Sequence, residues 1–246
     1  DALLGPAFDA WSVMSCSEYR YNPRQLGWWY ALLNRGARVP AAADSDYAFD
    51  ALQAAFSMIG QWITYVNISG QVFSIQNVCE AIRQGRTVAT TGPLLFFTLG
   101  DAQPGDVLAT GTYTARIETH LSCNAFQMSQ TTFAGAPLSI KTVELVRNGV
   151  NVMRWDNLNT MSTTLYYTVT ETDTNAYYTV HVNTVSDTGA AVASPIYFDD
   201  RPPRQKPFMT TVEGRVYDAF SGAQKHAAVV VQRYGDTLGT FVTATD

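Results

Sequence analysis

One stretch, residues 81–106 (AIRQGRTVATTGPLLFFTLGDAQPGD), separates two kinds of pattern in this chain. Upstream of it apolar residues recur at helical spacing or gather in short runs. From Thr87 onward the period is that of strands. A fold that satisfies both halves has to join a mixed helix-and-strand part to a β part at this point.

Upstream, Asn22-Pro23 offers an N-cap followed by proline at the first helical position, and Leu26, Trp29, Tyr30 and Leu33 then share one stripe until Gly36. Ser74 caps a second predicted helix, with Ile75, Val78, Cys79 and Ile82 as its stripe and Gly85 as its left-handed stop. Residues 8–15, 37–43 and 62–68 read as short strands. Strand, helix, strand, strand, helix is the order of an α/β unit, assigned to 1–86.

Downstream, Tyr113, Ala115, Ile117, Thr119 and Leu121 alternate with Thr114, Arg116, Glu118 and His120, as in a strand with one wet face. Residues 143–147 and 150–155 flank Asn148-Gly149, both of which tolerate the positive φ of a type I′ hairpin turn. With 163–169, 177–185 and 193–198 these make 87–200 an expected antiparallel β-sandwich. RPPRQKP, with three prolines in seven residues, opens a semi-rigid linker over 201–209. Residues 210–246 hold three more predicted strands, fewer than the roughly seven of a sandwich, and read as the beginning of a second, Ig-like β module. The expected class is α+β, multidomain.

Composition narrows the function. The net charge is −5 with no basic block, which excludes the electrostatic footprint of a nucleic-acid binder. No run approaches the ~20 apolar residues of a membrane helix, so no integral membrane segment is expected. Charged residues are 15% of the chain while Thr, Ser and Tyr are abundant, a balance that suits an extracellular or cell-envelope β-protein. Asp1 is not an initiator Met, which leaves room for an upstream segment. Cys16, Cys79 and Cys123 lack metal-ligand spacing and read as buried thiols, with one disulfide as the alternative.

Ala81-Ile82-Arg83-Gln84-Gly85-Arg86-Thr87, then Thr90-Thr91-Gly92-Pro93-Leu94-Leu95 and Gly105-Asp106, resembles the junction in PHP-type metallohydrolases of the CehA/McbA group. There an α/β barrel ends in a helix and "GR", and a "TxGP" strand opens a C-terminal β domain. Phe8-Asp9-Ala10, the helix leading to Ala43-Asp44-Ser45-Asp46, and Thr64-Tyr65-Val66 extend the resemblance over roughly residues 8–200. The resemblance implies a partial PHP-like barrel over 1–86. Members of the family hold two or three metals on His and carboxylate ligands and use them to activate water. The family's HxH segment and most other ligands would belong to a preceding N-terminal half. Its "SDxH" motif reads Ser45-Asp46-Tyr47-Ala48 here, and its "DAxE" strand reads Asp9-Ala10-Trp11-Ser12. Asp46 is therefore the one ligand retained, and a catalytic metal needs about three. Residues 212–216, Ser221-Gly222 and 227–231 resemble the start of a carboxypeptidase-regulatory-like β-sandwich.

The candidate site residues are few. Asp44 and Asp46 read either as a vestigial metal site or as solvated loop acids. Trp28 is the candidate ligand-binding aromatic, because Trp29 and Tyr30 belong to the helix stripe. His120 and His181 read as exposed cross-strand partners, with zinc pairing as the alternative. Arg83 and Arg86 read as complements to a helix dipole, with anion binding as the alternative. Asn67-Ile68-Ser69 is a glycosylation sequon.

The expected function is a non-catalytic extracellular or cell-envelope protein used in structure or assembly. It has no cofactor, and its partners are other protein chains engaged through strand edges. The alternatives are a fragment of a larger metal-dependent hydrolase, which would bring a divalent metal, and a carbohydrate-binding module.

Overall fold

The alternation read from residues 113–121 is realised in a ten-residue strand whose inward side chains, Ala115, Ile117 and Thr119, are fully buried. Around it the computed structural model describes residues 9–14, 23–44, 62–121, 139–185, 189–199, 228–233 and 236–242. In chain order the elements are β1 (Trp11–Met14), α1 (Pro23–Asn34), β2 (Ala41–Ala43), β3 (Ile63–Val66), α2 (Ile75–Arg83) and β4 (Thr87–Thr90). They continue with β5 (Leu94–Leu99), β6 (Val107–Leu108), β7 (Gly111–His120), β8 (Ile140–Arg147), β9 (Val150–Trp155) and β10 (Ser162–Glu171). The last are β11 (Tyr177–Thr184), β12 (Ala190–Ala193), β13 (Ile196–Phe198), β14 (Ala228–Arg233) and β15 (Asp236–Val242). The chain divides into two units, one spanning Asp9–Pro203 and one in which the antiparallel hairpin β14–β15 is described.

The larger unit is a β-sandwich with a third layer. One sheet runs β10-β7-β5, all antiparallel. The other runs β9-β8-β11 and then forks, because β11 pairs with β12 through His181–Asn183 and with β13 through Tyr177 and Tyr178. β12 leads on to β4 and β3, and β13 to β6. Pro195, which has no N–H to donate, divides into two a segment that reads as one strand over 193–198. Between the sheets lie Leu95, Phe97, Leu99, Ile117, Val143, Leu145, Val180, Val182 and Phe198, all at most 2% exposed.

The third layer covers the outer face of the larger sheet. β1 and β2 pair in parallel, and α1 packs beside them, burying Trp29 and Leu33 against Tyr177, Ala190 and Val192. The free side of β2 is closed by side chains of the sheet. Ala41 donates its N–H to Ser194 Oγ (2.8 Å) and accepts from Thr87 Oγ1 (2.7 Å), while Ala43 N–H donates to Thr64 Oγ1 (2.8 Å). Hydroxyls thus replace a ladder partner for the backbone groups of Ala41 and for Ala43 N–H.

Both helices start and stop as their sequences dictate. Pro23 opens α1, Ser74 Oγ accepts from Asn77 N–H at the start of α2, and Gly36 and Gly85 follow the helix ends in the left-handed region. Asn148 (φ 50°) and Gly149 (φ 82°) form the expected turn between β8 and β9.

Three expectations are corrected. The described residues are predominantly antiparallel β with two short helices, and those of 9–86 supply a layer on the sandwich and, in β3, one strand of its larger sheet, not alternating β/α units of a partial barrel. The boundary at 86/87 runs through a sheet, because β3 pairs with β4 from Ile63↔Thr90 to Val66↔Thr87. The α2 stripe is not a buried one: Ile75 is 82% exposed, Cys79 is an exposed free thiol, and Ala81 is the buried residue. The linker over 201–209 and the predicted strand at 212–217 lie outside the described residues, as do Cys16 and Cys123.

Candidate functional site

Asp44 follows β2 and accepts a hydrogen bond from Ser12 Oγ of β1, its parallel neighbour. Asp46 lies outside the described residues. Among the described residues no three His, Cys, Asp or Glu side chains gather where they would hold a metal. A hydroxyl and one exposed carboxylate make too small a donor set for a catalytic ion. Trp28 is 56% exposed on α1, while Trp29 is fully buried and donates Nε1–H to Val39 O at 2.8 Å. Asn67 is exposed, with its amide engaged by Gln103 Oε1 at 2.7 Å.

The two described histidines lie in different sheets, which removes zinc pairing between them. His181 corrects the expectation of exposure, being 3% exposed. It sits in a row that crosses the outer face of the larger sheet, Thr64–Ala89–Val192–His181–Glu144–Arg154, each residue opposite the next. Tyr30 of α1 closes over it, with Oη 2.6 Å from His181 Nε2 and the rings stacked at 5.9 Å. Burial lowers the imidazole to a pKa of about 3, so it is neutral at physiological pH. Glu144 Oε2 lies 3.9 Å from Nδ1, beyond hydrogen-bond length, and Glu144 is held instead by Arg154 at 2.6 Å. A buried, neutral imidazole under a helix fastens α1 to the sheet. It is out of reach of a substrate.

The smaller sheet presents the open surface. Its outer face carries Arg116, Glu118 and His120 along β7, flanked by Phe96 (49% exposed) on β5 and Tyr166 (62% exposed) on β10. His120 does have a cross-strand partner as expected: Ser162 Oγ lies 2.7 Å from Nδ1, and Glu118 Oε1 lies 2.7 Å from Nε2. The His120 bond foremost, with Arg116 adding to it, holds the Glu118 carboxyl below its ordinary range. Hydroxyl, imidazole and carboxylate thus stand in line on an open face, where Ser162 is exposed and the His120 side chain 37% exposed.

β10 is the other notable part of this surface. It pairs with β7 over its full length, from Ser162↔His120 to Glu171↔Gly111, without a bulge. Among the described residues no strand pairs with its outer side. Ser162, Thr164, Tyr166, Thr168 and Thr170 face outward, all exposed, and the strand holds no Lys, Arg or Pro. Native edges are usually blunted by charge, proline or bulges, and none of the three occurs along Ser162–Thr170, ahead of the inward-facing Glu171. The free edge was not legible in the sequence, because alternation assigns faces and not neighbours.

No family model matches the chain, and no curated protein matches it. Among solved structures, a CARDB domain from Pyrococcus furiosus is 12% identical over 44% of this chain and 96% of its own, with a TM-score of 0.28. A lytic polysaccharide monooxygenase from Jonesia denitrificans is 12% identical over 69% of this chain and 93% of its own, with a TM-score of 0.25. Likenesses at these scores carry no part of the argument.

Proposed function

We propose that this chain is a non-catalytic extracellular or cell-envelope assembly protein, whose β10 edge pairs with β10 of a second copy. The outer edge of that ten-residue strand, with which no described strand pairs and which carries no Lys, Arg or Pro, is the observation that carries the reading. A second copy suits it on charge. Ser162–Thr170 has no ionisable side chain other than Tyr166 and Tyr167, so an antiparallel pair centred on Tyr166 sets Thr164 against Thr168 with nothing to repel. Such a pair forms about one backbone hydrogen bond per residue. The low charge and Thr-rich outer strand fit a protein exposed to solvent outside the cell.

Sedimentation velocity over a rising concentration series tests it. The natural sequence is expected to form a dimer, and Thr164→Lys with Thr168→Lys, which set like charges opposite each other, to return it to monomer. A chain that stays monomeric at millimolar concentration, or a double variant that dimerises unchanged, sinks the proposal.

A further inference from the structure

Three arginines, Arg38 from the loop before β2 and Arg83 and Arg86 from the end of α2 and just beyond it, line one cleft of about 250 Å³ with Tyr197, over a floor of Gly85 and Gly105. The floor is made by close backbone approach. Gly85 (φ 80°) ends α2, with Gly85 N–H donating to Ile82 O (2.9 Å) and Arg86 N–H to Ala81 O (3.0 Å), so those helix carbonyls are satisfied. Gly105 lies against it, and a Cβ on Gly105 would stand 1.9 Å from Gln84 O. That crossing is too tight for a side chain at Gly105, and the arginines line the cleft beside it.

The helix dipole accounts for a basic residue at Arg83, in the last turn of α2. It does not account for Arg38, which comes from the loop before β2, or for Arg86 beyond the helix. Arg38 stacks over Tyr197 at 5.2 Å and pairs with Asp199 at 3.2 Å, which fixes its plane. Arg83 pairs with Asp9 at 3.1 Å, both side chains about half exposed, a pair weak enough for a ligand to displace. Arg86 makes no ion pair with any described residue. One carboxylate, Asp106, lines the cleft, and its Oδ2 accepts from Gln103 N–H at 2.9 Å. Asp199 and Asp9 offset Arg38 and Arg83, which leaves Arg86 as the guanidinium of the cleft with no ion pair to a described residue, and a guanidinium so placed in a concavity favours an anion. Guanidinium forks match planar carboxylates and tetrahedral phosphates, both of which offer paired oxygens.

We propose that this cleft binds a small oxyanion through Arg86, with Arg38 and Arg83 as flanking forks. The proposal is independent of the pairing of β10. Titration calorimetry on the full chain, with inorganic phosphate and malonate added separately at matched ionic strength, distinguishes a phosphate from a carboxylate ligand. Saturable one-to-one binding of at least one is expected. It should be weakened at least tenfold by Arg86→Ala, recovered in part by Arg86→Lys, and unchanged by Arg35→Ala. Should Arg86→Ala fail to fold by circular dichroism, Arg38→Ala serves in its place with the same expected loss. Heat that never saturates for either anion, or binding indifferent to both substitutions, overturns the site.

Discussion

Glu171→Gln tests how the two sheets are fastened at one end of the sandwich. Glu171, on β10, is 3% exposed and accepts from Arg147 Nε (2.6 Å) and Nη2 (3.0 Å) on β8. It also accepts from Tyr178 Oη and from the N–H groups of Thr172 and Asp173, each at 2.9 Å. Burial alone would push the carboxyl up, but Arg147, the Asp173 N–H and Tyr178 outweigh it and hold the pKa at about 2, against an ordinary 4.5. At about 1.4 kcal/mol per unit that shift corresponds to about 3 kcal/mol, reduced toward about 2 because Arg147 is partly exposed. A folded-state pKa below the unfolded one adds stability above pH 4.5, and that stability is lost as pH falls from there through about 2. Urea unfolding followed by tryptophan fluorescence should therefore place Glu171→Gln about 2–3 kcal/mol below the natural sequence at pH 7. The gap should close progressively below pH 4.5. A gap of the same size at pH 7 and pH 2.5, or one under about 0.5 kcal/mol at pH 7, refutes the assignment.

Three further outcomes follow from the packing. Gly105→Ala, at φ 92° and with its new Cβ 1.9 Å from Gln84 O, is expected to lose several kcal/mol and to reshape the cleft, read by thermal melting. Trp29→Ala should cost about 3–5 kcal/mol in urea unfolding, whereas Trp28→Ala, at 56% exposure, should stay within about 0.5 kcal/mol. Tyr30→Phe removes the bond to His181 and should cost about 1 kcal/mol, while Tyr177→Phe should be neutral or stabilising, since the buried Tyr177 hydroxyl has no partner among the described residues.

Local chemistry was legible in the sequence wherever one residue decides it. Pro23, Ser74, Gly85 and Asn148-Gly149 all mark the ends and turns that the structure contains. β7 was readable because one of its faces is wet. β11 was readable as a strand over 177–185, but not its faces, since Tyr177–Val182 is buried on both, between the sandwich core and α1, and His181 lost the exposure its alternation implied. Partner choice was invisible for the same strands: nothing in Ile63–Val66 says that its neighbour is β4. The cleft was half legible. Arg83 and Arg86 stand out in the sequence, but Arg38 joins them through tertiary structure that spacing does not encode.

The pairing of β4 with β12 has a consequence for how the molecule is made. Thr90 meets Ala191 across roughly a hundred intervening residues, so the larger sheet closes one of the longest loops available to it. The hairpin β8–β9 and the long antiparallel pair β7–β10 involve shorter separations and lower closure entropy. During synthesis the smaller sheet is complete once Glu171 has emerged, while β3 and β4 wait for residues 190–193. An early species with a finished smaller sheet and an unfinished larger one therefore precedes the native fold.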